Sequence, residues 1–405
     1  MDFELTDEQK ALQKEWTNFY RDLMKDAPKN WRGHFGCEPE SVYGEGFGEA
    51  IVEWERRIYK AQNEQGYLNL HWPKEYGGKE LGVVEQLILN EIKAYYRVPM
   101  GNASGLQLLA PSLMMYGTEE QKKEFLPKIL TGETWFSQVW SEPNAGSDLA
   151  SLTTRAVRDG DDYVVNGQKT WASGAMLANW GHSPFRTDPD ATKRHRGLSY
   201  FIYPLDTPGI TSNPVYSSDH RIRWHEVFFD DARIRAEYRI GEENRGWYVT
   251  MATSNSERSG FFFGEIKRAI EELIAYCVQT RKNGRLLIDD SFIRCGLAEF
   301  TVEYERVRAL CYRSAWEQSK GNDVTKYASA SKILQTELQH KITDFVAHRI
   351  GGLYSQLRAG STWALFDGVF ESLWESDLGV VINVGTNDIQ HNIIASPRCL
   401  NLPHE

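Results

Sequence analysis

Long hydrophobic runs are missing from this chain: apolar residues nowhere continue for the roughly 18 positions that a membrane-spanning helix needs. No insertion into a membrane is expected. The opening residues Met1-Asp2-Phe3-Glu4 lack a basic stretch leading into an apolar core, so no secretory signal is expected there. Cysteine is scarce, with 5 in 405 residues, at positions 37, 277, 295, 311 and 399, and no Cys-x-x-Cys pair. That scarcity argues against a disulfide scaffold and fits free thiols in a reducing cytoplasm. An excess of positive charge is missing too. Lys and Arg number 46 against 56 Asp and Glu, a net charge of −10. Such a balance disfavours general binding to nucleic acid or to anionic membranes, yet allows a local basic pocket for an anionic ligand. No repeat of fixed period and no low-complexity tract occurs. His220 and His225 have no partner at metal-ligand spacing, and no metal site is expected.

What is present is ordinary for a soluble globular protein: 41% hydrophobic and 25% charged residues, on a chain long enough for two or three domains. Aromatics are plentiful, with 13 Trp, 19 Tyr and 18 Phe. They suit a flat cofactor or bulky ligand, and equally a well-filled core.

The texture of the chain changes twice. Thr6-Asp7-Glu8-Gln9 has the pattern of a capping box, and Leu12, Trp16, Phe19 and Leu23 follow at helical spacing. Residues 27–48 read as a loop. Helical patterns return over Ile51–Gln65 and Val83–Tyr96, and a second capping box, Thr118-Glu119-Glu120-Gln121, starts a short helix expected to end near Pro127. Residues 1–131 are therefore expected to form a helical domain. Residues 132–245 read as a β domain: Tyr163-Val164-Val165, Asn166-Gly167 and Gln168–Trp171 predict a hairpin with a type I′ turn, and Leu198–Tyr203 and Glu226–Phe229 are strand candidates. Thr207-Pro208-Gly209 marks a turn. From Gly246 the helical period returns. Ile266, Ile270, Leu273 and Cys277 form one stripe, and Leu297, Phe300, Tyr304, Val307 and Cys311 another. Ile333, Leu338, Ile342, Phe345 and Val346 suggest a third helix and Trp363–Leu373 a fourth, so residues 246–405 are expected to pack as a four-helix bundle.

Two short segments carry the chemistry. One is Ser141-Glu142-Pro143-Asn144-Ala145-Gly146-Ser147-Asp148, the other Trp171-Ala172-Ser173. Small residues let backbone amides approach a flat ring, and hydroxyls can bond its polar edge. Each fragment alone also reads as a Pro-Gly turn or a buried Trp. Together, in this order, they resemble the flavin-cradling signature of the acyl-CoA dehydrogenase family. The succession of helical, β and four-helix parts is similar to that family's plan, and the resemblance runs from about residue 5 to residue 396. It implies an α+β fold with an N-terminal helical domain, a β-barrel-like middle domain and a C-terminal four-helix bundle, holding FAD. By that resemblance Ser141 bonds the pyrimidine edge of the flavin, Ser147 lies where flavin and substrate meet, and the Ser173 hydroxyl bonds flavin N5. Trp171 would lie against the ring, Gly146 lets the backbone approach it, and Trp140 is a further cofactor-binding residue by the same resemblance. Arg281 matches an Arg that reaches the FAD diphosphate and adenosine of a neighbouring subunit, Gly351 and Gly352 match a glycine pair that approaches the FAD diphosphate, and Thr386 and Asp388 belong to a stretch that matches a Gly-Thr-x-x-Ile-Gln segment at the cofactor site. Asp388 stands where Gln or Glu is usual, and Asn283-Gly284 where an aromatic precedes Gly.

Dehydrogenation of an acyl thioester needs a carboxylate to take the α-proton. Most members place this Glu just before the Gly-Thr segment, and here that position is Val384. A minority, including isovaleryl-CoA, long-chain and bacterial steroid-CoA dehydrogenases, carry it as a Glu-Arg pair on the first helix of the C-terminal bundle. Glu257-Arg258 stands at that place. The resemblance thus makes Glu257 the base, with Arg258 shaping the pocket. The alternative is an ion pair on a helix surface. Asn255 matches a contact to the pantetheine arm. The basic cluster Lys193-Arg194-His195-Arg196 fits either the phosphates of CoA or a solvated loop.

The resemblance implies an acyl-CoA substrate with a bulky, branched or steroid side-chain acyl group, and an electron-transfer flavoprotein as acceptor. It implies a homo- or hetero-tetramer with FAD at a subunit interface. Two other readings stay open, a non-catalytic partner subunit of an α2β2 assembly and an oxidase that passes electrons to O2.

Overall fold

The structure is a computed structural model that describes residues 4–28, 31, 49–217, 222–257, 263–358, 360–396 and 399–400. In chain order its helices are α1 (Asp7–Leu23), α2 (Glu49–Glu64), α3 (Val83–Tyr95), α4 (Ala110–Tyr116), α5 (Glu119–Thr131), α6 (Gly246–Glu257), α7 (Phe263–Cys277), α8 (Ser291–Ser319), α9 (Thr325–Phe345), α10 (Val369–Val380) and α11 (Asn387–Ala395). The strands are β1 (Phe136–Gln138), β2 (Arg155–Asp159), β3 (Asp162–Ser173), β4 (Trp180–Arg186), β5 (Leu198–Pro204), β6 (Ile210–Tyr216), β7 (Ile222–Arg235), β8 (Arg239–Ile240), β9 (Arg281–Lys282) and β10 (Arg285–Leu286).

The chain forms two compact units. One comprises Met1–Glu38, Glu80–Pro99 and Arg258–Glu405, the other Pro39–Lys79 and Met100–Glu257.

The first unit is helical. Thr6 and Gln9 close the expected capping box: the Gln9 amide donates to Thr6 Oγ1 and the Thr6 amide to Gln9 Oε1. The stripes on α7 and α8 are buried, from Ile266, Ile270, Leu273 and Cys277 to Leu297, Phe300, Tyr304, Val307 and Cys311. Helix α3 is pinned to α8 through Glu91, whose carboxylate accepts from Tyr304 Oη at 3.0 Å, Arg308 Nε at 2.8 Å and Tyr312 Oη at 2.7 Å. The helix expected over Trp363–Leu373 begins only at Val369. Phe366, Asp367 and Gly368 have φ of 49°, 59° and 82°, which no helix can continue through. Among the described cysteines, Cys277, Cys295, Cys311 and Cys399 are free thiols. Cys37 and most of the expected 27–48 loop lie outside the described residues.

The second unit holds the sheet, in the order β6-β7-β3-β2-β4-β5-β8, with β1 paired parallel to β4. Tyr203 of β5 contacts Phe229 of β7 with ring centroids 5.5 Å apart, and Tyr163 of β3 contacts Phe201 of β5 at 4.9 Å. These strands are not neighbours in the sheet, so it folds back on itself around their side chains, as the barrel-like expectation requires. Its other surface, at Tyr200 and Ile202, packs on Leu106, Leu109, Leu113, Phe125 and Leu126.

Two expectations are corrected here. The hairpin turn is not at Asn166-Gly167. The chain turns at Gly160-Asp161, where Asp159 pairs with Asp162 and Gly160 has φ of 64°. Asn166 and Gly167 lie inside the continuous strand β3, at a bulge where the pairing with β7 shifts between Val165 and Gly167. Asn166 uses its amide to bridge Asp231, and a Cβ on Gly167 would sit 2.8 Å from the Thr154 backbone. Glycine is needed there for a close strand approach, not for a turn. Helix α5 likewise runs through Pro127 to Thr131 and stops at Gly132, which takes the left-handed conformation. Proline costs the helix one hydrogen bond, and the buried Phe125, Leu126 and Ile129 offset that loss.

Candidate active site

The first signature segment follows β1 as a loop whose shape is set by its own backbone. The Glu142 and Ala145 amides each donate to the other's carbonyl, at 2.9 and 3.1 Å, which folds Pro143-Asn144 into a tight reversal. Ala145 is buried while Gly146, Ser147 and Asp148 face outward. Behind the loop, Glu142 and Lys169 form a buried ion pair at 3.0 Å. Burial would raise the Glu142 carboxyl. The ammonium of Lys169 and the donors of Thr154 and Thr153 outweigh it and hold its pKa down at about 2. Burial pushes the Lys169 ammonium down to about 8.

Trp140, half-buried, donates its indole N–H to Tyr200 Oη at 3.0 Å. Tyr200 Oη is in turn 2.5 Å from His182 Nδ1, and His182 Nε2 is 2.8 Å from Ser104 Oγ. Burial lowers the pKa of His182 to about 3, so the ring is neutral at physiological pH. Ser104 opens a π-helical turn, Ser104–Leu109, that leads into α4. The sequence reading named neither His182 nor Tyr200. Their spacing of 18 along two paired strands carried no motif.

The second signature segment closes β3. Pairing with β7 breaks between Lys169 and Ala172, and Trp171 takes φ of 59°. A bulky residue in that region is strained, and such strain concentrates at functional sites. The Trp171 indole is 55% exposed and meets the Trp224 ring edge to face, 5.5 Å and 84° apart. Trp224, which makes this contact, carried no motif in the sequence. It lies opposite Ser173, whose hydroxyl-bearing side chain is exposed and whose carbonyl accepts from Ser137 Oγ at 2.8 Å. His225, opposite Ala172, is buried, and its Nδ1 has no hydrogen-bond partner among the described residues.

These features fit a flat cofactor with a polar rim. A Cβ on Gly146 would meet no atom within 4 Å, so this glycine is not required by the protein's own packing, whereas Gly174 takes φ of 66°, which by itself favours glycine. Ser147 and Ser173 are exposed, and the Trp171–Trp224 pair presents an aromatic surface.

Helix α6 is fastened into the same unit. Thr253, fully buried, donates to the Val249 carbonyl at 3.0 Å and lies 2.6 Å from Ser112 Oγ on α4. Val249 belongs to the apolar cluster against which Trp140 packs. Glu257 is the last residue of α6, four positions beyond Thr253. For Asn255 and Glu257 the description ends at the helical backbone, and Arg258 lies outside the described residues.

In the helical unit, Arg281 opens a two-strand ribbon turned by Asn283-Gly284, with φ of 52° and 80°, and donates to the Gly284 carbonyl at 2.9 Å. Gly352 has φ 53° and ψ −128°, a conformation open to glycine alone. Thr386 caps α11 by accepting from the Ile389 amide at 3.0 Å, and Asp388 stands in the first turn, where a negative charge favours the helix. Val384 takes φ of 53° and is 38% exposed. The basic cluster forms a short turn, Arg194–Gly197, in the sheet unit; Arg194 Nη1 lies 3.5 Å from Asp148 Oδ2 at the end of the first signature segment. Among the described residues there is no group of three metal-ligating side chains, and no helix is long and apolar enough to cross a membrane.

The chain is similar to known proteins along its length. Family models match along the chain: acyl-CoA dehydrogenase N-terminal domain at residues 6–133, middle domain at 137–232 and C-terminal domain at 244–397. Acyl-CoA dehydrogenase FadE26 of Mycobacterium tuberculosis is 33% identical over 400 residues, 96% of each chain. Acyl-CoA dehydrogenase IpdE1 of the same organism is 34% identical, covering 87% of this chain and 88% of its own. Among solved structures, the Tcur3481-Tcur3483 steroid ACAD superposes with a TM-score of 0.87 at 30% identity, over the whole of both chains. The ChsE4-ChsE5 complex from Mycobacterium tuberculosis gives 0.86 at 32% identity, also over the whole of both. The chain belongs to the acyl-CoA dehydrogenase family.

Proposed function

We propose that this chain binds FAD in the cradle formed by Trp140, Ser141, Gly146, Ser147, Trp171 and Ser173. In this reading it converts an acyl-CoA with a bulky, branched or steroid side-chain acyl group into its trans-2-enoyl-CoA. The observation that carries this reading is the strained, exposed Trp171 next to the exposed Ser173, joined to the first signature segment by the bond from the Thr170 amide to the Ser141 carbonyl at 2.8 Å, with open space in front of Gly146. FAD supplies the two-electron acceptor for the hydrogen leaving the β-carbon. Glu257 takes the α-proton as a carboxylate, and the Cα–Cβ double bond forms as both leave. A base of this kind works best when enclosed so that its proton affinity approaches the working pH. Arg258 shapes the pocket, and Asn255 contacts the pantetheine arm. The substrate class rests on the names of the relatives, two of which are a steroid dehydrogenase and a two-component complex.

The same reading gives Arg281, Gly351, Gly352, Thr386 and Asp388 to the diphosphate and adenosine of FAD in a neighbouring subunit of a homo- or hetero-tetramer. It assigns residues 1–131, 132–245 and 246–405 to the three parts of the fold, a cytoplasmic location to the protein, and an electron-transfer flavoprotein as acceptor. Val384, at the family's usual base position, favours a second reading: a partner subunit without chemistry of its own. The test is purification of the chain alone and with a co-expressed partner, measurement of bound flavin, and anaerobic titration with branched and steroid side-chain acyl-CoA esters. Bleaching of the flavin by one ester class in the chain alone supports the first reading. Flavin that no ester bleaches in either preparation contradicts it. Hydrogen peroxide in air would mark an oxidase.

A further inference from the structure

The proposed reaction gives Lys169 no role, yet this residue is wholly buried. An ammonium has three N–H groups, and each is used: Glu142 Oε1 at 3.0 Å, the Trp140 carbonyl at 2.9 Å and the Pro184 carbonyl at 3.2 Å. The carboxylate of Glu142 is equally committed. Oε2 accepts from the Thr153 amide at 2.7 Å and its hydroxyl at 2.9 Å, and Oε1 accepts from the Thr154 amide at 2.9 Å. Between them, the Ser141 carbonyl accepts from the Thr170 amide at 2.8 Å. Residues 140, 141 and 142 are thus each gripped from positions 169 and 170. Directly beyond Lys169 the pairing with β7 leaves its register, to resume at Ala172, and Trp171 and Ser173 lie in and just after this break.

A buried ion pair is an inefficient source of stability, since apolar side chains of similar volume hold a core as well or better. What it supplies is direction: three fixed donors aimed at three fixed acceptors. We infer that Lys169 is a positioning residue for the flavin cradle, holding the backbone of Trp140–Glu142 against β3 so that Ser141 and Ser173 address one cofactor. This rests on the reading of those two serines as flavin contacts.

The test compares the full chain with Lys169→Met and with the double variant Glu142→Gln, Lys169→Met, which leaves no charge unpaired. Apoprotein is titrated with FAD at a temperature where circular dichroism shows every variant folded, and the visible spectrum of bound flavin is recorded. The expected result is a loss of FAD affinity of about 10- to 100-fold in the single variant, the scale seen at metal sites when a group that orients a binding residue from behind is removed. The double variant regains thermal stability but not FAD affinity, and its residual flavin spectrum is shifted, because the Trp140 carbonyl has lost its anchor. Wild-type FAD affinity and spectrum in the double variant would overturn the inference, since the pair would then be only a core contact. If the wild-type chain itself binds no FAD, the failure lies with the proposed function instead.

Discussion

The Glu142–Lys169 pair gives the fold an acid sensitivity that can be worked out in advance. The Glu142 carboxyl is lowered from its ordinary 4.5 to about 2. A depressed carboxyl adds stability that is present above its unfolded value and is lost as pH falls through the folded one. At about 1.4 kcal/mol per tenfold change in proton affinity, the full contribution is about 3 kcal/mol near neutrality. Between pH 6 and pH 3 roughly 2 kcal/mol of it disappears. Lys169 stays protonated in both folded and unfolded chains over that range and adds nothing to the change. Other carboxylates also titrate, so the comparison is with the double variant Glu142→Gln, Lys169→Met, in which they are retained. Urea unfolding of FAD-free protein at both pH values should show the wild type losing about 2 kcal/mol more than the variant. Parallel losses would refute the reasoning, because Glu142 would then titrate normally.

Three further outcomes follow from other parts of the fold. Glu91→Ala strands Tyr304, Tyr312 and Arg308 on α8 and should destabilise the helical unit by about 3 kcal/mol in urea unfolding, with Glu91→Gln milder. Val384→Asn should stabilise by about 1 kcal/mol in the same assay, because asparagine tolerates the positive φ that a β-branched residue resists. Thr253→Val removes a buried hydroxyl bonded to Ser112 and should lower kcat about tenfold with FAD affinity unchanged, if α6 places the base.

Much of this architecture was legible in the sequence because its signals are local. The Thr6 and Thr118 capping boxes are written in four residues each, and both form as expected. The stripes on α7 and α8 follow the helical period that buries one face. Errors arose where distant parts of the chain override a local preference. Asn166-Gly167 has the composition of a turn, yet Thr154 and Asp231 on neighbouring strands hold it extended. Pro127 stays in a helix because Phe125, Leu126 and Ile129 are buried by other elements. At the site, the two signature segments could be read, but not what supports them. The contacts of Lys169, His182, Tyr200 and Trp224 run across strands, and the spacing of such contacts follows no motif.

The central claim is that Glu257 removes the α-proton while the cradle of Ser141, Ser147, Trp171 and Ser173 holds the flavin. Glu257→Gln keeps the size of the side chain and removes its basicity. The deciding measurement is anaerobic stopped-flow bleaching of the flavin by an acyl-CoA that reduces the wild type. The account predicts a yellow variant with unchanged FAD content and bleaching slower by at least about a thousandfold. Bleaching of the variant at the wild-type rate would contradict it and would require the base to be sought elsewhere in the chain.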